Sequence, residues 1–312
     1  MNNEEFNNNS LAIILLCSNL AINHKVDTIK PFTMVEWSKL AKIIWSSSIK
    51  EPSNLFNLSK EQIEKELLIE EKESERIIKL LSKAGQLTFE LNELKKLGIN
   101  ITTRADKTYP KILRERLKQK CPPMIYYCGN IEILCNNLVG VVGLKSVDEY
   151  DIEFTKQLAD KIVKDKYSLI CGNADGVDSV SQVQVLKNNG KVVQFIGDSM
   201  INRIKKKEVR EDIVKGNLLL MSDSNPRSGI SVYSAMDRNK YIYGLSELTV
   251  VVSADYNKGE TWTGAAENLQ NQWTPTLVRF DENVPKGNLE LIKIGGKKFI
   301  EESFEKDFTQ TI

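Results

Sequence analysis

The chain has 312 residues, 41% of them hydrophobic and 27% charged, and 43 Lys and Arg residues nearly balance 42 Asp and Glu residues, for a net charge of +1. This composition is typical of a globular protein of about two domains, and the balanced charge requires that any basic, nucleic-acid-binding surface be local. The five cysteines form no Cys-x-x-Cys pair, and His24 is the one histidine in the sequence. The sequence therefore argues against a Cys/His zinc site and predicts free, buried thiols of a reducing cytoplasm.

The first apolar stretch, Leu11–Ile22, follows an acidic, polar N-terminus and is interrupted at Ser18 and Asn19. It is too short to span a bilayer, and no basic leader precedes it. We therefore expect a buried helix rather than a membrane anchor, and a cytoplasmic protein that does not bind a membrane.

Helical patterns continue to about residue 98, and they assign residues 1–100 to a small helical N-terminal domain of the SAM or helix-hairpin kind. Capping boxes begin two of its helices, because a hydroxyl and a Glu or Gln side chain then satisfy backbone amides that have no partner within the helix. Two predicted helices begin at the capping boxes Thr33–Glu36 and Ser59–Gln62, and two more cover residues 73–81 and 91–97.

From residue 101 the pattern changes to a regular alternation of strands and helices, which assigns 101–312 to a second domain. Short runs of Val, Ile and Leu are typical of parallel strands that are buried on both faces. The predicted fold is α/β, an extended Rossmann-like, parallel-rich sheet flanked by helices. Strands are predicted at 101–103, 124–127, 139–142, 168–171, 192–196, 218–221, 248–252 and 275–279, and helices at 150–164, 178–189 and 263–270.

A first glycine motif, Gly140–Ser146, stands at the end of the strand predicted at 139–142. Open parallel sheets bind ligands outside the carboxyl ends of their strands, and glycine lets a phosphate approach the backbone. Gly143, Lys145 and Ser146 are therefore candidate phosphate-binding residues. The alternative is a plain tight turn into a helix, with Lys145 solvated.

A second glycine motif, Gly172–Asp178, follows the next strand about thirty residues later. Two glycines four residues apart, followed by the start of a helix, form a backbone cradle for an anion. The alternative is an ordinary strand-to-helix turn with Asp178 as the N-cap. Asp175 argues against an anion, because its carboxylate would repel phosphate. The candidate binding residues are Gly172, Asn173, Ala174, Gly176 and Asp178.

Two later motifs combine cationic residues with the start of an apolar run or of a helix. Arg suits bidentate contacts to phosphate, Lys acts as a point charge, and helix N-termini favour anions. The alternatives are a solvated helix end for the earlier motif and simple helix capping for the later one. The candidate binding residues are Arg238, Asn239 and Lys240 in the earlier motif, and Lys258, Gly259 and Thr261 in the later one.

Taken in chain order, these motifs resemble those of the DprA/Smf family (DNA-processing protein A). The first glycine motif is similar to the family's V-G-S-R loop, and Cys171–Asp178 is similar to its S-G-x-A-x-G-I-D motif. Arg238–Ser246 is similar to R-N-R-I-I-x-G-L-S. Further similarities lie at Tyr109-Pro110, Pro122–Tyr126, Lys258–Ala265 and Gly287–Gly295. Leu144, Cys171, Asp175 and the lysines at 145 and 240 depart from the family's residues.

The resemblance implies a protein that binds single-stranded DNA at the glycine-loop face and assists DNA uptake, transformation or recombination. It implies no catalysis, no catalytic residue, no metal and no cofactor. It further implies a homodimer and, as a partner, a RecA-type recombinase that is loaded onto the DNA. Because the sequence given stops at Ile312, we expect no C-terminal winged-helix domain of the kind that some members carry.

Two alternatives remain open at this point. One is a nucleotide-sensing or nucleotide-hydrolysing Rossmann-like protein related to phosphoribohydrolases, for example in defence, with Glu260 and Glu267 available for the chemistry. The other is a protein-interaction module whose ligand pocket has decayed, which Leu144 and Asp175 favour.

Overall fold

The computed structural model describes residues 6–23, 25–229 and 232–311, without the side chains of 232–237. His24 lies outside the described residues. The chain divides into two compact units, Met1–Arg114 with Lys118–Tyr127 and Glu115–Leu117 with Cys128–Ile312. Because these units are defined by packing rather than by chain segment, the domain boundary expected at residue 100 stays a prediction.

The first unit is mainly helical. The capping boxes predicted at Thr33 and Ser59 are both confirmed, and each precedes a helix. The first apolar stretch forms a buried helix, as predicted, but the helix ends at Cys17, because the chain becomes extended at the Ser18 interruption. The elements are α1 (Asn8–Cys17), α2 (Met34–Ser46), α3 (Lys60–Leu67), α4 (Glu71–Leu81), α5 (Ala84–Lys96), β1 (Ile99–Thr103), α6 (Lys111–Leu117) and β2 (Met124–Gly129), where α6 and β2 run on into the second unit.

The second unit is an α/β sheet with helices between its strands, which confirms the predicted fold class. Its strands are β3 (Leu138–Val142), β4 (Ser168–Cys171), β5 (Val192–Phe195), β6 (Leu218–Ser222), β7 (Leu248–Val251), β8 (Thr276–Arg279) and β9 (Lys297–Phe299). Its helices are α7 (Glu149–Lys164), α8 (Val177–Lys187), α9 (Met200–Ile204), α10 (Lys207–Val214), α11 (Val232–Leu245), α12 (Gly259–Asn271) and α13 (Lys286–Lys293).

The strand order in the second unit is β6-β5-β4-β3-β7-β8-β9, and each neighbouring pair is parallel. Residues of β3, β4 and β7 are buried throughout, which explains their mainly apolar sequences. The chain proceeds from β3 outwards through β4, β5 and β6, and then returns to the opposite side of β3 as β7. The sheet therefore has its topological switch point at β3, where open α/β sheets bind their ligands.

Among the described residues, no helix is long and apolar enough to cross a membrane. The described cysteines are free, and Cys121, Cys128 and Cys171 are buried as predicted. Cys135 is exposed, so the prediction of a buried thiol is wrong there. It ends the short 3-10 helix Ile131–Cys135, of which Ile133 is the buried residue.

Candidate functional site

A pocket of about 330 Å³ lies at the switch point, where the loops after β3, β4 and β7 meet. It brings together most of the residues that the sequence proposes for binding. Those that line it are Gly143, Lys145, Ser146, Ala174, Asp178, Arg238, Asn239, Lys258, Gly259 and Thr261. Helices α8 and α12 both begin at this edge, so their N-terminal amides add partial positive charge.

The glycines of the two glycine motifs allow the first two loops to pack closely against each other. A Cβ at Gly143 would lie 2.3 Å from the side chain of Val177, and one at Gly176 would lie 2.2 Å from the carbonyl oxygen of Leu144. The amide of Val177 donates a hydrogen bond to that carbonyl at 3.2 Å. Glycine is therefore required here to set the shape of the pocket, whatever ligand enters it.

Asp178 holds the second glycine loop from within. Its Oδ2 accepts hydrogen bonds from the amides of Gly172 at 3.0 Å and Ala174 at 3.1 Å. Burial raises the pKa of Asp178 to about 6, against the opposing effects of these amides and of Arg238. The N-cap of α8 is Gly176, so the alternative that made Asp178 the N-cap is wrong. Asp178 lies in the first helical turn and binds the amides of the preceding loop.

Arg238 reaches the pocket from α11 and is 7% exposed. One terminal nitrogen donates a hydrogen bond to the carbonyl of Gly172, and the other lies 3.7 Å from the Glu260 carboxylate. Its Nε has no hydrogen-bond partner among the described residues, which leaves one donor of a buried cation unused.

Glu260 lines the pocket although the sequence did not place it among the DNA-binding residues. It lies in the first turn of α12, and its carboxylate is 3.2 Å from Lys145 Nζ as well as near Arg238. An acidic residue in a first helical turn is ordinarily explained by the helix dipole alone, so the sequence offered no signal for its ion pairs.

The described pocket lining carries three cationic and three acidic side chains. The cations are Lys145, Arg238 and Lys258, and the acids are Asp178, Asp255 and Glu260. With all six ionised, these charges cancel. The pocket is therefore polar and charge-balanced rather than simply basic.

Hydrogen bonds join the loop after β7 to the rest of the pocket. Thr261 Oγ1 donates to the carbonyl of Gly143 at 2.8 Å, and the Asn239 amide donates to the Glu260 carbonyl at 3.1 Å. These two predicted residues thus hold the walls together. Their contacts fix the start of α12 against the first glycine loop and α11.

The remaining predicted residues lie behind or beside the pocket. Gly172 and Gly176 shape the second loop, as described above. Asn173, oriented to satisfy both ends of its amide, accepts from Arg203 at 2.6 Å and donates to Gln182 at 3.1 Å. Lys240 is 7% exposed, and its Nζ lies 5.0 Å from the Tyr241 ring centroid.

The acidic residues on which the nucleotide-binding and decayed-pocket alternatives depend differ in their position relative to the pocket. Glu260 lines the pocket, whereas Asp175 and Glu267 do not line it. Asp175 is exposed, so its charge faces solvent rather than the cradle. In the part of the chain that is described, no group of His, Cys, Asp or Glu is arranged to hold a metal ion.

A family model described as DNA recombination-mediator protein A matches residues 100–307. The chain is 25% identical over 223 residues to Protein Smf of Synechocystis sp., which covers 68% of this chain and 54% of that protein. The chain thus spans about half the length of this curated relative.

Two solved structures share the fold. The X-ray structure of DNA processing protein A from Streptococcus pneumoniae superimposes with a TM-score of 0.67 at 15% identity, over 95% of each chain. The DNA processing protein A of Helicobacter pylori, whose structure was described for its single-stranded DNA binding mode, gives a TM-score of 0.53 at 22% identity, over 64% of this chain and 90% of that one. At these identities the likeness establishes the fold.

Proposed function

Because this chain belongs to the DNA recombination-mediator protein A family, we propose that it binds single-stranded DNA at the switch-point pocket and acts as a non-catalytic accessory protein in DNA processing. The observation that carries the proposal is the convergence of Lys145, Arg238 and Lys258 on two helix N-termini at one pocket. Cations and backbone amides so placed suit the phosphates of a strand.

The proposed contacts fall into two groups. Lys145, Arg238 and Lys258, which line the pocket, neutralise phosphates, whereas Lys240 is buried and does not line it. Backbone and hydroxyl donors then fix the position of the strand. Gly143, Ser146 and Gly259 line the pocket and supply these donors. The side chains of Asn239 and Thr261 hold the pocket walls, and Gly172, Asn173, Ala174 and Gly176, with Asp178, form the second glycine loop.

The single-stranded DNA binding named for the Helicobacter pylori protein supports the same ligand here. Homodimer formation and loading of a RecA-type recombinase extend the proposal to partners. Light scattering of the purified protein tests the first, and a filament-assembly assay on DNA coated with a single-strand-binding protein tests the second.

A salt titration of DNA binding tests the central proposal. Fluorescence anisotropy with a labelled oligothymidylate measures affinity as the salt concentration rises, and log K falls with a slope of about −0.7 for each phosphate neutralised on a single strand. We expect Lys145→Ala to weaken binding and to make this slope shallower by about one such increment.

Lys187→Ala is the matched control, because Lys187 is exposed at the end of α8 and does not line the pocket. Absence of binding by the wild-type protein at low salt contradicts the proposal. So does equal binding by the wild-type protein and the Lys145 variant.

A second candidate function is recognition or hydrolysis of a small nucleotide. The observation that favours it is the pocket volume of about 330 Å³, within the range of small-molecule sites, with Asp178 and Glu260 on its walls. Stabilisation of the protein by mononucleotides in a thermal-shift assay, with release of free base, supports this candidate over DNA binding.

A further inference from the structure

Glu260 makes two ion pairs with two different cations of the pocket. Its Oε1 lies 3.2 Å from Lys145 Nζ, and its Oε2 lies 3.7 Å from an Arg238 terminal nitrogen. Each carboxylate oxygen thus faces one cation. Two oxygens of a phosphate would meet the same two groups in a similar way.

We propose that Glu260 is a built-in counter-ion, which competes with a backbone phosphate of single-stranded DNA for Lys145 and Arg238. The inference rests on the proposed function and adds the residue that sets the affinity of the pocket and its response to salt. A bound strand displaces the carboxylate, and the two cations exchange one anion for another.

The structure allows the carboxylate to leave without unfolding its surroundings. The backbone carbonyl of Glu260 accepts a hydrogen bond from the side chain of Asn239. The hydroxyl of the next residue, Thr261, donates to the carbonyl of Gly143. The Glu260 side chain is 26% exposed, so it has solvent to turn into. The start of α12 therefore stays fixed while one side chain moves.

Arg238 is also prepared for a second anion. It is fixed by its bond to Gly172, and its Nε has no hydrogen-bond partner among the residues described. A phosphate has more acceptor oxygens than a carboxylate, so it can accept from the Arg238 terminal nitrogen that faces Glu260 and from a neighbouring cation at the same time. Lys258, on the same pocket wall, adds a cation for which the structure shows no competing ion pair within the described residues.

This exchange has a signature in the salt dependence of binding. In the wild-type protein, a phosphate that replaces Glu260 leaves its carboxylate without a partner. The free carboxylate then takes up a cation from solution, so the net number of ions released on binding is smaller by about one. Without the carboxylate charge, the slope of log K against log salt steepens by about 0.7. A purely structural role for Glu260 would lower affinity and leave the slope unchanged.

Anisotropy titrations of Glu260→Gln with a labelled oligothymidylate test the proposal. We expect binding at low salt that is tighter by about fivefold, the size of one partly exposed ion pair, with the steeper slope. Glu267→Gln is the matched control, because it removes the same charge from the same helix outside the pocket. The control should bind within twofold of the wild-type protein.

The possible outcomes separate this inference from the proposed function. Wild-type binding with no gain in Glu260→Gln overturns the counter-ion and leaves DNA binding intact, whereas no wild-type binding overturns the proposed function. If Glu260→Gln proves unstable, Glu260→Asp retains the charge with a shorter reach, and equal affinity for Asp and Glu at this position also overturns the inference. A parallel titration with thymidine monophosphate identifies the phosphate source, and tightening for the mononucleotide alone overturns the assignment to a strand.

Discussion

Gly172 lies directly against the guanidinium of Arg238, so that a Cβ at position 172 would be 2.8 Å from Arg238 Cζ. The carbonyl of the same glycine accepts a hydrogen bond from that guanidinium. A glycine in the second loop is therefore required by a side chain that comes from α11, 66 residues later in the chain. The pocket cation Arg238 and Gly172 of the second glycine motif are therefore the two partners of one contact.

We expect Gly172→Ala to displace Arg238 and to weaken single-stranded DNA binding by about tenfold, the size of a lost hydrogen bond to a charged group. The melting temperature should also fall, because the displaced guanidinium loses its buried hydrogen bond to the carbonyl of residue 172. Anisotropy and thermal denaturation measure the two effects. Gly85→Ala is the control, because a Cβ there meets nothing within 4 Å. Unchanged DNA binding by the Gly172 variant would contradict the prediction.

The sequence was sufficient to predict the sheet and the loops that form the pocket. Apolar runs such as 248–252 and their abrupt ends at glycine identify buried parallel strands and their carboxyl ends. The short strand β9 was missed because Lys297 and Lys298 are exposed and carry no apolar signal.

The ion pairs of the pocket could not be predicted. Lys145 and Glu260 are 115 residues apart, and each has a sufficient local explanation as a solvated loop lysine or an acid in a first helical turn. Only the packing of α12 against the first loop brings them together. The sequence therefore suggested a basic site, where the structure has a charge-balanced one.

Gly176 should tolerate no substitution. Its φ is +74°, and a Cβ would lie 2.2 Å from the Leu144 carbonyl oxygen and 2.5 Å from that of Lys145, both of them backbone atoms. We expect Gly176→Ala to lower the free energy of unfolding by about 2–3 kcal/mol, since the strained backbone alone costs about 1–3 kcal/mol. Urea denaturation measures the loss. A variant as stable as the wild-type protein would contradict the packing of these two loops.

The stability of the protein should depend on the ionisation of Asp178. Burial raises its pKa in the folded state to about 6, above its ordinary value of 3.8, so the folded state binds this proton more tightly than the unfolded state. This contribution to stability is full below about pH 4, decreases as the pH rises to about 6, and is constant above that.

Asp178→Asn removes the titration while it keeps an oxygen that can accept from the loop amides. Between pH 4 and 7, we expect stability to shift in favour of the variant relative to the wild-type protein by up to about 3 kcal/mol, the equivalent of two pKa units. Urea denaturation at several pH values measures this difference. A difference that is independent of pH would show that Asp178 titrates at its ordinary pKa.

A buried ion pair joins Arg279 of β8 to Asp151 in the first turn of α7. Arg279, at the end of β8, is 2% exposed and donates to Asp151 Oδ1 at 2.7 Å. Burial raises the pKa of Asp151, and Ser253, whose hydroxyl oxygen accepts from the amide of Leu144 at 3.3 Å, acts on that pKa in the opposite, lowering direction with a smaller effect. Ser253 therefore lies between this ion pair and the first glycine loop.

We expect Arg279→Met to destabilise the protein by about 3–5 kcal/mol, because it fills a similar volume but leaves Asp151 buried without its cation. The double variant Asp151→Asn with Arg279→Met should recover part of that loss, since no uncompensated charge remains. Asp281→Asn is the control, because this second partner of Arg279 is 39% exposed and should contribute no more than about 1 kcal/mol. Urea denaturation compares the four proteins. If the double variant is no more stable than Arg279→Met, the cost comes from lost packing rather than from the buried charge.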